Sequence, residues 1–204
     1  MAIHYLSRVS PRPRTVTDDQ ILAATARAMA RVPPTKFTLT DVAREVGLAP
    51  ATLLQRFGSK RGLLLAVSAL SAQGMDACFD AVREAHASPL EALLVAATEM
   101  ARFSTTPEEL ANSIAYLQID LSDPEFHRHI LAGSRAMHRG YRALLDDAVA
   151  AKELGPCDTA RVARAVEALS GGSLIQWAIH RKGSADAWVR RDLETLLAPY
   201  RRTA

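Results

Sequence analysis

Between Thr38 and Lys60 the chain reads TLTDVAREVGLAPATLLQRFGSK, and side chains able to contact a nucleic acid are crowded into it. Gln55 can hydrogen-bond N6 and N7 of adenine in a major groove, while Pro50 or Ala51 can touch a thymine methyl. The hydroxyls of Thr38 and Thr52, the Lys60 ammonium and the backbone N–H groups near Ser59 suit phosphate oxygens. Arg56 and Arg61 add positive charge, as merely solvated side chains would. Elsewhere the chemistry is sparse. His127, His129 and His138 invite a metal-site reading, but on a helix His127 and His129 point about 200° apart and cannot share an ion without distortion. They are read as solvated or pocket-edge side chains, and no metal is expected. Cys78 and Cys157 are too few for a disulfide framework and are read as reduced core residues of a cytoplasmic protein. With no Gly-rich phosphate loop, no HExxH and no nucleophile elbow, neither an enzyme nor a bound cofactor is expected.

The local sequence states what must hold the Thr38–Lys60 side chains in place. Thr38 can cap a helix with Asp41 three positions on to reach back, a short-acid form of the capping box. Leu39, Val42, Ala43 and Val46 recur at helical spacing, and Gly47 can take the positive φ that ends the helix. Pro50 suits the first turn of a second helix, which buries Leu53 and Phe57 and ends at Gly58, with Ser59 placed to cap the next. Helix, Gly-containing turn and second short helix make a helix-turn-helix, whose second helix lies in the major groove of DNA. An ordinary pair of packed helices has the same local pattern.

The order of residues is more specific: Thr-Leu-Thr-Asp-Val-Ala, Gly-Leu-Ala-Pro-Ala-Thr-Leu, then Phe-Gly-Ser-Lys, flanked by Ile21-Leu22-Ala-Ala-Thr and Leu63-Leu64-Leu65-Ala-Val. From Ile21 to Val67 this resembles the DNA-binding signature of the TetR/AcrR family of transcriptional regulators. By position, the resemblance implies DNA contacts from Thr38, Thr40, Pro50, Ala51, Thr52, Leu54, Gln55 and Lys60, to which Arg56 adds charge. Two departures stand out. Ala49 replaces the family's usual Ser or Thr before the recognition helix, and Leu54-Gln55 replaces a Tyr followed by His or Tyr. Two frequent phosphate donors are therefore missing. The resemblance further implies a ligand-responsive repressor that binds a palindromic operator as a homodimer, with an effector pocket in the body. Met75, Phe79, Met100, Phe103, Tyr116, Phe126 and Trp177 are the candidates to line that pocket. The last two helices resemble the family's dimerisation pair, with Val166, Leu169, Leu174 and Trp177 on one and Leu193, Leu196 and Leu197 on the other. Internal packing would use the same apolar faces. The competing reading is a helical protein-interaction module without sequence-specific DNA binding.

At 204 residues the chain is long enough for a proper core in one or two domains, and its 49% apolar content argues against disorder. Residues 1–62 carry a net +6 and the remainder −3, the asymmetry of a nucleic-acid-binding module on a separate body. The expected organisation is a flexible basic arm over 1–16 (Arg8, Arg12 and Arg14), a helix-turn-helix domain over 17–62, and an effector-binding and dimerisation domain over 63–204. The N-terminus lacks the apolar run of a signal peptide, and no apolar run approaches a membrane span. The fold class is all-α: a three-helix head and a helical bundle, about nine helices in all, with no credible strand.

Overall fold

Most of the helices begin where a side chain supplies a partner for their free N–H groups. The computed structural model describes residues 16–101 and 104–201, the Met100 side chain excepted. Among them run nine α-helices: α1 Asp18–Arg31, α2 Leu39–Val46, α3 Pro50–Phe57, α4 Lys60–Ala85, α5 Pro89–Ala101, α6 Pro107–Ser122, α7 Pro124–Ala150, α8 Thr159–His180 and α9 Ala185–Leu197. Thr17 and Gln20 close a capping box on α1, and Thr106 and Glu109 close another on α6. Pro50, Pro107 and Pro124 open their helices where a missing N–H costs nothing. The 3₁₀ turn Ala198–Tyr200 ends the fold, and the bridge between Leu154 and Arg201 is the only extended pairing among the described residues.

Two apolar clusters organise the helices. The head cluster joins Ile21, Leu22, Phe37, Val42 and Leu53 of the first three helices and their connections to Leu63, Leu64 and Val67 of α4. Such a unit is too small to stand well alone. It is completed by Tyr116 of α6 and Phe126 of α7, two aromatics that the sequence reading assigned to an effector pocket. The head's core therefore runs past residue 62, the boundary expected from sequence, and α4 carries it into the body. The body cluster is built from α5, α7, α8 and α9 around Leu93, Tyr141, Leu145, Val166 and Leu193. Phe79 of α4 meets Tyr141 edge-on at 5.0 Å between ring centroids, and Gly140 lets that ring lie directly on the α7 backbone.

The tail helices correct the expected dimer set. Val166, Trp177, Leu193 and Leu197 are buried within the chain, and Leu169, Leu174 and Leu196 pack against the same cluster. Those leucines are the side of α8 and α9 that faces the body; their periodicity marked an apolar face but not its neighbour. The solvent-facing stripe of α8 is instead Ala168, Gly171, Gly172, Ile175 and Ile179. One further expectation fails on α4: Cys78, read as a core residue, is exposed, as is Leu70, which repeats the position of Leu63 two turns on where the head no longer covers that side. By length and composition α4 would suffice to cross a membrane; here it packs against α1, α5 and α7.

Candidate nucleic-acid interface

The α2–turn–α3 unit has the local geometry its sequence dictates. The Asp41 carboxylate accepts from the Thr38 N–H at 2.8 Å and from the Thr38 hydroxyl at 2.7 Å. The Thr38 hydroxyl and backbone hold Asp41 below the usual aspartate range. Gly47 takes φ 69°, a left-handed conformation that a side chain would strain, and α2 ends there. Leu53 is fully buried and pins α3 to the head, worth roughly 1.5–3 kcal/mol for a side chain of its kind. With that face fixed, Pro50, Ala51, Leu54 and Gln55 lie exposed along the opposite edge of α3. Leu54 is 50% exposed on that edge, an apolar side chain available for contact.

The cations behave differently from the expectation. Lys60 donates to the Pro34 carbonyl at 2.8 Å and lies over the Phe37 ring at 5.5 Å. Arg56 donates to the Val16 carbonyl at 2.8 Å and stands 3.3 Å from Asp18. Arg61 is committed to Asp123, at 2.7 Å, and to Glu125 at the start of α7, with Phe126 beneath it. Part of the charge that sequence reading offered to phosphates is thus holding the head together and to the body. Thr38 is exposed but spends its hydroxyl proton on Asp41; Thr40 is exposed and Thr52 half-buried. Sequence reasoning passed over Arg44, one helical turn beyond Thr40 on the same face of α2, and Lys36 in the preceding turn. Both are exposed and form no ion pair among the described residues. The (i, i+4) spacing from Thr40 was the available signal for Arg44. Arg8, Arg12 and Arg14 lie outside the described residues.

Glu45 locks α2 to α1 by accepting from Arg27 and Arg31 at 2.6 Å each. Burial opposes its charge, but the two guanidinium groups outweigh that and hold the carboxyl below the usual range. The head is joined to the body at three further points. Tyr116 donates to the Val32 carbonyl at 3.0 Å, Asn112 donates to the Ala30 carbonyl at 2.8 Å, and the Phe37 and Tyr116 rings meet edge-on.

A cavity of about 490 Å³ opens between α1, α4, α6, α7 and α8, with Met75, Asp120, His129, Met137 and Glu167 among its walls. Of the aromatic and methionine candidates, Met75 lines it. Phe79 and Trp177 are spent in the body core, where the Trp177 indole donates to the Gly183 carbonyl at 3.1 Å, and Tyr116 and Phe126 belong to the head cluster. Large rings fill space, so they sit where helices converge rather than where they part. Phe103 and the Met100 side chain lie outside the described residues. His127 is exposed, and His138 stands 3.9 Å from Glu167.

Comparison with known proteins agrees with this geometry. Residues 21–67 match the sequence profile of bacterial regulatory proteins of the tetR family. No curated protein gives a sequence match. Among solved structures, the TetR family transcriptional regulator PfmR from Thermus thermophilus is similar at 26% identity and a TM-score of 0.60, covering 88% of this chain and 98% of that one. A regulator from Saccharomonospora viridis in complex with choline is 18% identical with a TM-score of 0.70, covering 89% and 95%. The regulator FadR from Bacillus subtilis in complex with stearoyl-CoA is 16% identical with a TM-score of 0.63, covering 89% and 98%. A matched helix-turn-helix whose second helix presents a free edge, carried on a body that aligns nearly end to end with these proteins, gives the chain the DNA-binding signature and the fold of TetR family transcriptional regulators.

Proposed function

We propose that the protein is a homodimeric, effector-responsive repressor that reads a palindromic operator with the Pro50–Phe57 helix. The observation that carries this reading is the exposed Pro50, Ala51, Leu54 and Gln55 edge, held outward by buried Leu53. Gln55 reads adenine and Leu54, Ala51 and Pro50 contact thymine methyls. Thr40, Arg44 and Lys36 flank that edge for phosphates, and Lys60 keeps two of its three N–H donors beyond the Pro34 bond. The protein acts in the cytoplasm without catalysis, and the unit over residues 17–62 with the start of α4 serves as its DNA-binding domain.

The dimer forms through the α8 stripe. A Cβ added at Gly171 or Gly172 would meet nothing within 4 Å, so a second helix can approach closely there, and Ile175 and Ile179 are 46% and 67% exposed. Two heads so related present their recognition helices about one turn of duplex apart, ~34–36 Å. The similar structures that hold stearoyl-CoA and choline support a small-molecule effector in the body. Helix α6 is the means of response: Ser113 and Asp120 face the cavity, while Asn112 and Tyr116 grip the end of α1. An effector that binds better to one placement of α6 shifts the heads by no more than that difference in affinity.

Gel shift on the DNA upstream of its own gene, at two salt concentrations, tests the proposal. Binding should be sequence-dependent and fall steeply with salt. Gln55→Ala should change base preference, and Lys60→Ala should weaken every site alike and flatten the salt slope. Equal loss on all operator variants for Gln55→Ala would overturn the base-reading role, and salt-insensitive association with protein partners would favour an interaction module.

A further inference from the structure

The cavity wall is apolar but its charge is one-sided. Asp120 of α6 and Glu167 of α8 both line it, and among the described residues no lysine or arginine does. The Glu167 carboxylate accepts from the Ser134 hydroxyl at 2.8 Å, with His138 3.9 Å away. Asp120 has no hydrogen bond or ion pair among the described residues, and burial pushes its carboxyl above the usual aspartate value. A half-buried carboxylate left this way is expensive to keep, and it falls in cost when a donor arrives. Around it stand Met29, Met75, Met137, Val67 and Ile130, flexible or aliphatic surfaces that fit a chain-like body.

We propose that the cavity takes an amphiphile carrying a protonated primary or secondary amine, its N–H groups donated to Asp120 and its hydrocarbon body laid against Met75, Met137 and Ile130. This rests on the effector reading above and narrows it to one chemical class. An anionic head would bring a like charge to two carboxylates, with His129 the one basic side chain among the described lining residues, a repulsion that low local dielectric magnifies. A quaternary ammonium lacks N–H donors and is recognised by aromatic faces, and no Phe, Tyr or Trp ring lines this cavity among the described residues. A neutral alcohol gives Asp120 only one hydrogen bond without charge on the donor, roughly half the strength of a charge-assisted one. The volume, about 490 Å³, lies within the range of roughly 300–1,000 Å³ common for small-molecule sites.

Isothermal titration of the full-length protein with four probes of one chain length tests this: n-octylamine, octyltrimethylammonium, octanoate and octan-1-ol. Octylamine should bind at least about tenfold more tightly than each of the others. Asp120→Asn, which breaks no polar contact among the described residues, should bring octylamine down to the octanol level, and Ser71→Phe, which fills the cavity, should weaken both. Octanoate or octyltrimethylammonium binding as well as the amine, an unchanged preference in Asp120→Asn, or no amine binding to the parent would each overturn the inference. Gel shift of the same preparation without probe separates the two readings: intact DNA binding with no amine selectivity overturns only the ligand class, whereas absence of DNA binding overturns the regulator.

Discussion

Replacing Tyr116 by Phe removes one oxygen from the joint between head and body and leaves the packed ring in place. That hydroxyl donates to the Val32 carbonyl at 3.0 Å from a residue only 6% exposed. Burial pushes the phenol up to about 12, so it stays a protonated donor throughout the neutral range. A hydrogen bond of this kind contributes about 1 kcal/mol net, and a carbonyl left without a partner raises the cost to about 1–3 kcal/mol. Tyr116→Ala also loses the ring between Phe37 and the head cluster and should cost about 3–5 kcal/mol, as other buried aromatic truncations do. Urea unfolding followed by circular dichroism measures both; the slope should stay constant while the midpoint falls in the order parent, Phe, Ala. An unchanged midpoint for Tyr116→Phe, or an Ala variant no worse than the Phe variant, would refute the placement of this side chain in the head and with it α6 as the means of response.

Gly140→Ala would set a Cβ 2.3 Å from Cγ of Phe79, and that ring cannot retreat because Tyr141 stands against it. A loss of about 1–3 kcal/mol is expected, seen as a thermal midpoint lowered by roughly 2–4 °C per kcal/mol, and an unshifted midpoint would contradict the α4–α7 contact. Acid should destabilise the fold, at the head and at the start of α6. Asp41 is held below the usual range by the Thr38 hydroxyl, Glu109 by the Thr105 hydroxyl, and Glu45 by Arg27 and Arg31 against burial. A depressed folded value means that the stabilisation is complete above the unfolded carboxylate value of about 4 and is lost as pH falls through the lower folded values. Thermal midpoints should be level from neutrality to about pH 5 and fall below about pH 4, with a shallower acid limb in Glu45→Gln; a parallel limb in that variant would count against the ion-pair lock. Ile179→Glu should convert a dimer to a monomer in sedimentation equilibrium without changing the circular dichroism spectrum. Retention of the dimer would exclude the α8 stripe as its seam.

Much of the fold was legible because its signals are local. Thr17, Thr38, Thr106 and Asp123 each begin a helix by contacts within three residues, and Gly47 ends one by its own backbone. The exposed edge of α3 was legible for the same reason, since Leu53 fixes which side faces inward. What escaped depends on partners far apart in the chain. Arg61 meets Asp123 and Glu125 across more than sixty residues, and a charged side chain in a basic stretch gives no hint of that. Tyr116 and Phe126 read as pocket aromatics because nothing in α6 or α7 says that the head lies against them. The leucines of α8 and α9 showed that these helices have apolar faces, while the exposed stripe of small residues and isoleucines beside them carried too weak a periodic signal to separate.

Hydroxyl-radical footprinting of the full-length protein on the DNA upstream of its own gene tests most directly whether a two-fold pair of Pro50–Phe57 helices reads duplex DNA. The expected result is two protected half-sites of related, inverted sequence on one face of the duplex, their centres about 10–10.5 bp apart or a multiple of that. Uniform weak protection that ignores sequence, or a single isolated half-site, would contradict it.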